Sequence, residues 1–145
     1  MNRAMAVIAA AVLALGSFST QAEDKPYKEG PVTEVSSIKV KPGKFDEYMA
    51  YLAGPYRDLM EGNKQAGNIT GWAIYATRAG SPQEPDIYLT TTYANMAALD
   101  NLEDREAPVV DKVFGSRQKS AQKYAARESM REVLGSELIR ELILK

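Results

Sequence analysis

A chain of 145 residues with 18 basic and 19 acidic groups, no histidine and no cysteine is bounded first by what it lacks. The missing thiols exclude disulfides, thiolate metal sites and cysteine nucleophiles, and the missing imidazoles exclude Ser-His-Asp chemistry, histidine-ligated haem and zinc–histidine centres. The near-balanced charge forms no basic stripe, so no nucleic acid is expected as a partner.

Residues 1–22 read as a signal peptide. Arg3 supplies a positive start, Ala4 to Leu15 form an apolar run, Gly16-Ser17 breaks it, and Thr20-Gln21-Ala22 puts small residues where a signal peptidase cuts. The run is shorter than the about 20 residues a membrane-spanning helix takes. No stable membrane anchor is therefore expected after processing, and the expected location is periplasmic or secreted. The remainder carries 17 basic against 19 acidic groups and is long enough for one ordinary domain.

Residues 23–32, with Pro26, Gly30, Pro31 and the single large apolar group Tyr27, read as a flexible exposed leader; the domain proper is expected over 33–145. Thr33 to Lys41 carries Val35, Ile38 and Val40 among serines, which predicts a first strand stopped by Pro42-Gly43. From Phe45 the apolar period changes to that of a helix, through Tyr48, Met49, Leu52, Tyr56, Leu59 and Met60. Asp46 and Glu47 suit its first turn, Gly54-Pro55 predicts a kink, and Gly67 suits its end.

Ile69 to Arg78 and Asp86 to Tyr93, rich in Ile, Trp, Tyr and Thr, predict a hairpin around the Ala79–Pro85 turn. Asn95 caps a short helix through Leu102, Glu103 to Ala107 reads as a charged connector, and a helix is expected from Pro108 with Val110, Val113, Phe114, Arg117, Ala121 and Tyr124 on one side. The tail Ser129 to Lys145 fits two periods. Met130, Leu134, Leu138 and Leu142 recur every four residues, yet with period two Leu138, Leu142 and Leu144 share a side with Arg140, and Ile139 and Ile143 share the other. Element order favours the strand, because it completes β-α-β-β-α-β, the split βαβ of an α+β, ferredoxin-like domain with an antiparallel sheet. Helices then cover one sheet face, and the other, carrying some of the strand aromatics, is expected to form a homodimer.

Several stretches carry a family resemblance. Val35-x-x-Ile38-x-Val40-Lys41-Pro42-Gly43-Lys44-Phe45-x-x-Tyr48 resembles the opening of dimeric α/β-barrel proteins. Gly71-Trp72-x-x-Tyr75 and Thr91-x-Tyr93-x-Asn95-x-x-Ala98-Leu99-Asp100 are similar to that superfamily's hairpin strand and strand-to-helix junction. The tail Arg131-Glu132-Val133-Leu134-Gly135-Ser136-Glu137-Leu138-Ile139-Arg140-Glu141 resembles small exported members of unassigned function. The resemblance implies a ferredoxin-like protomer, a barrel made by two sheets, and an extended segment from Ser129 onward that reaches toward the second protomer. The similarity to antibiotic-biosynthesis-monooxygenase-like domains is distant: the oxygenases have Glu-x-Trp where this chain has Thr91-x-Tyr93, and they commonly follow it with a histidine absent here.

The candidate ligand site is the aromatic set Trp72, Tyr75, Tyr88 and Tyr93, with Arg140 as a positive anchor at the mouth. Strand parity allows each strand at most one member of its pair on a given face, and packing at a dimer interface would use the same residue types. Neither a resident cofactor nor a metal is expected. Three readings follow: an exported dimer binding a small aromatic or lipophilic molecule between two sheets, which the residues favour; a cofactor-independent monooxygenase or isomerase acting on a quinol-like substrate; and a purely structural or interaction dimer.

Overall fold

The structure, a computed structural model, describes residues 25–145. The expected signal peptide lies outside them. Four strands and four α-helices follow in the order β1 (Tyr27–Val40), α1 (Phe45–Tyr51), a π-helical turn (Leu52–Tyr56), α2 (Arg57–Gln65), β2 (Gly71–Ala76), β3 (Ile87–Tyr93), a 3-10 turn (Met96–Leu99), α3 (Leu102–Phe114), α4 (Arg117–Ala126), a second 3-10 turn (Arg127–Ser129) and β4 (Arg131–Leu144). The sheet is antiparallel throughout with order β2-β3-β1-β4, so the fold is α+β and ferredoxin-like, and the tail is a strand.

The strand expected from Thr33 begins at Tyr27 instead, so most of the presumed leader belongs to the sheet. Lys28, Glu29 and Pro31 look like solvent-facing sequence, but β4 is long enough to pair with them, from Tyr27 opposite Leu144 to Val40 opposite Arg131. Pro31, which has no N–H to donate, falls where the β1–β4 register shifts between Glu29 and Val32.

The helix begins at Phe45 with Asp46 and Glu47 in its first turn. Pro55 cannot continue an α-helical ladder, and the chain breaks there through Gly54, whose φ and ψ are both −108°. After α2, Gly67 takes φ +76°, its N–H bonds to the Lys64 carbonyl at 3.1 Å, and the Asn68 N–H bonds to the Asn63 carbonyl at 2.9 Å. These two bonds close a Schellman motif at the predicted end.

The second helical region departs from expectation. The charged stretch Glu103–Ala107 is no connector: it forms the first turns of α3, where Glu103 and Asp104 suit the positive end of the helix dipole, and Pro108 lies inside the helix. The continuous stripe expected from Val110 to Tyr124 is divided at Gly115, φ +86°, after which Ser116 caps α4 by accepting a hydrogen bond from the Lys119 N–H. The short element after Asn95 is a 3-10 turn, with the Asn95 side chain accepting from the Ala98 N–H.

Cross-strand pairing sorts the side chains. Ile38 faces Ile87, Leu89 lies between Ser36 and Ile74, and Trp72 faces Thr91, all on the helix-covered face. Ile38, Tyr48, Leu52, Tyr56, Ile87, Leu89 and Met130 form the buried core there. Burying each aliphatic side chain contributes roughly 1.5–3 kcal/mol. The opposite face carries Thr33, Thr90, Thr92, Tyr75 and Tyr88.

Candidate functional site

Parity divides the four aromatics predicted to bind a ligand. Trp72 and Tyr93 point under the helices, whereas Tyr75 and Tyr88 face each other across β2 and β3 on the open face. Trp72 meets the Tyr56 ring edge-on at 6.0 Å and donates its Nε1–H to Glu61 Oε1 at 2.9 Å. Tyr93 is buried, and burial, with the Glu34 and Glu106 carboxylates adding to it, pushes its hydroxyl up to about 12. Arg140 lies on the helix side of β4, paired with Glu29 at 2.9 Å. The five residues therefore form no single constellation within one protomer.

What the fold does build is a cleft on the helix side of the sheet. Its floor is Glu34 and Ser36 of β1, Leu89 and Thr91 of β3, and Val133 and Ser136 of β4. Tyr56 and Met60 of the kinked helix, Tyr124 of α4, Arg127 and Arg131 close it, leaving a volume of about 280 Å³. An adjoining cleft of about 400 Å³, lined by Lys41, Glu128 and Glu132, shares Tyr124, Arg131 and Val133 with it.

Two arginines dominate this site because of how α4 turns into β4. Arg127 opens the 3-10 turn after α4, and the Met130 N–H bonds back to its carbonyl at 2.9 Å. The Lys41 N–H then takes the Met130 carbonyl at 2.9 Å, and Arg131 pairs with Val40 at the head of β4. Both side chains are thereby directed beneath α1. The Arg127 guanidinium carbon lies 4.9 Å from the Tyr51 ring centroid and 4.4 Å from that of Tyr124. Arg131 lies 5.9 Å from the Tyr48 ring and 5.3 Å from the Tyr124 ring. Tyr48 and Tyr51 stack on each other at 6.4 Å.

The electrostatics of this cluster are unbalanced. Arg131 is only 5% exposed, and the Nε of both Arg127 and Arg131 is buried without a hydrogen-bond acceptor. Neither belongs to any ion pair found among the described residues. Burial lowers the Arg127 pKa. Burial also raises Tyr48, Tyr51 and Tyr56, with the arginines pulling each partly back, so all three hydroxyls stay protonated near neutrality.

At the other end of the cleft the Ser136 hydroxyl donates to Glu34 Oε1 at 3.0 Å and lies 3.3 Å from the Ser36 hydroxyl. Among the described residues no three acidic, histidine or cysteine side chains cluster as metal ligands would. No helix there is long and apolar enough to cross a membrane.

Sequence reasoning did not single out Arg127 as a site residue, nor Arg131, Glu34 or Ser36. The one local signal is Tyr124-x-x-Arg127-x-x-x-Arg131, a tyrosine with arginines three and seven positions on.

No protein-family model matches the chain, and no curated protein matches it in sequence. Solved structures do match in shape. HapK from Hahella chejuensis aligns with a TM-score of 0.51 at 12% identity, over 76% of this chain and 91% of its own. Protein SO0527 from Shewanella oneidensis aligns with a TM-score of 0.52 at 17% identity, over 81% of this chain and 98% of its own. At such identities the likeness is one of fold, and it extends over nearly the whole of both proteins.

Proposed function

We propose that this chain is an exported, homodimeric small-molecule-binding protein whose ligand occupies the cleft between the sheet and the kinked helix of each protomer. The observation that carries this reading is a concave site of about 280 Å³ with aromatic and apolar walls and a few convergent polar groups. It sits just below the range of about 300–1,000 Å³ usual for ligand pockets. Export rests on the signal-peptide pattern of residues 1–22. The dimer rests on the open sheet face and on β4, an edge strand whose Leu138, Ile139, Leu142 and Ile143 are 45–54% exposed.

Titration with the neutral fluorophore N-phenyl-1-naphthylamine tests the location. The wild-type protein is expected to enhance its fluorescence saturably, and Ser36→Phe, which fills the floor of the cleft, to abolish the enhancement while circular dichroism stays unchanged. If Ser36→Phe binds as the wild type does and Tyr88→Ala does not, the ligand lies on the open sheet face and this reading fails.

A further inference from the structure

We propose that the ligand of the cleft is a small aromatic acid whose carboxylate is held by Arg127 and Arg131, an inference that rests on the small-molecule reading above. A buried guanidinium costs several kcal/mol of desolvation unless an anion or hydrogen-bond acceptors compensate it. Here one such group, Arg131, 95% buried, shares a site with the half-buried Arg127, both Nε groups lacking an acceptor and no carboxylate in an ion pair with either. Their neighbours are Tyr48, Tyr51 and Tyr124, neutral groups whose rings attract the charge and whose Tyr48 and Tyr51 hydroxyls lie against Arg131 and Arg127, but none of them neutralises it and the Nε hydrogens have no acceptor. The planar fork of N–H groups on each arginine matches a carboxylate.

The acidic group of the cleft stands away from Arg131 and forms no ion pair with Arg127. Glu34 pairs with Leu138, whereas Arg131 pairs with Val40, six residues further along β1, or about 20 Å of strand. Glu34 is engaged by the Ser136 hydroxyl. Glu128 and Glu132 line the adjoining cleft and form no ion pair with either arginine. Between the two polar ends, Tyr56, Met60, Leu89 and Val133 offer an apolar slot suited to a flat ring rather than to a bare inorganic anion.

Isothermal titration of the processed protein with 2-naphthoate, its neutral isostere 2-naphthamide and inorganic phosphate tests the inference. The acid is expected to bind at least about tenfold tighter than the amide, as a charge-assisted hydrogen bond would give, and phosphate to bind more weakly than the acid. Arg127→Gln is expected to remove that preference without weakening the amide. Arg131→Lys, which keeps the charge beside Tyr48, is expected to retain more of it than Arg131→Gln; thermal melts confirm that each variant is folded. Equal binding of acid and amide would overturn the anion inference and leave the cleft reading standing. Phosphate binding as tightly as naphthoate would reduce the site to a simple anion site and overturn the aromatic part. Failure of both aromatics to bind, together with an unresponsive neutral fluorophore, would overturn the cleft reading itself.

Discussion

Arg127 and Arg131 share one aromatic platform, their guanidinium carbons standing 4.4 and 5.3 Å from the centroid of the Tyr124 ring. Each ring contact is worth about 0.5–2 kcal/mol, depending on how dry it is. Against this stand the desolvation of two like charges and two Nε groups without acceptors.

Arg127→Met should leave the unliganded protein equally stable or more stable by about 1 kcal/mol, since an apolar replacement of a half-buried charge with no ion-pair partner is commonly neutral or favourable. Naphthoate should raise the melting temperature of the wild type more than that of the variant, which keeps only the binding shown by the neutral amide. Calorimetric melts with and without ligand check both. A loss above about 2 kcal/mol in the unliganded variant would mean that the ring contacts outweigh desolvation.

Asp86 closes the end of the β1–β3 ladder. Its carboxylate accepts the Val40 N–H at 2.9 Å and the Lys39 ammonium at 3.0 Å. Burial opposes ionisation, but the Val40 and Lys39 bonds outweigh it and hold the carboxyl below its ordinary value. A carboxylate depressed on folding adds stability above its unfolded pKa and loses it as pH falls through the folded one. Asp86→Asn should thus cost about 1 kcal/mol at pH 7, and the difference should shrink to nothing in acid, below the ordinary aspartate range of about pH 4. Urea denaturation of both proteins across that range measures it; a pH-independent difference would assign the effect to packing.

The first half of the chain was legible because its signals are local. Pro42-Gly43, the acidic first turn, Gly54-Pro55 and Gly67 each act within a few residues, and each appears where expected. The tail was ambiguous because four-residue and two-residue periods coincide in Leu138 and Leu142; pairing with β1 decides it, and pairing is not local. The same non-local pairing recruits Tyr27 to Pro31 into a strand despite their polar sequence. Trp72 and Tyr75 separate by parity as reasoned, but the arginines of the cleft were hidden among many charges. Nothing near Arg131 in sequence reveals that the β1–β4 register will carry it beneath Tyr48.

Gly62 sets the spacing of α2 against α3. A Cβ built there would lie 2.6 Å from Val109 Cγ1, and valine has little rotamer freedom in a helix with which to retreat. Overpacking of this kind costs about 1–3 kcal/mol, while alanine's helix propensity returns about 1. Gly62→Ala alone should therefore be neutral to destabilising by about 2 kcal/mol. Made in a Val109→Ala background, where the opposing methyl is gone, it should stabilise by about 1 kcal/mol. A double-mutant cycle from chemical denaturation reads the coupling directly; additive effects would mean that the two helices separate freely at this point.

The edge of the sheet carries the last prediction. β4 pairs with β1 on one side and with no other strand of the described chain, over 14 residues. Edge strands left open are usually short or protected by lysine and proline. This one contains neither, and it exposes Leu138 and Leu142 toward one face and Ile139 and Ile143 toward the other. Its charges, Arg131, Glu132, Glu137, Arg140 and Glu141, include both signs, which lets opposite charges come together when two antiparallel copies meet. A stable interface covers about 800 Å² on each partner, and the open face with Tyr75, 56% exposed, continues the surface that the edge offers. Sedimentation equilibrium should give twice the mass of one chain for the wild type. Ile139→Lys should weaken association at least about tenfold, because burying an ammonium at a sheet interface costs desolvation that the flanking Glu137 and Glu141 only partly offset, and it should leave the protomer's circular dichroism intact because this side chain is half exposed. A wild type that stays monomeric at every concentration, or a lysine variant that sediments like it, would show that β4 is a free edge protected by its own charges.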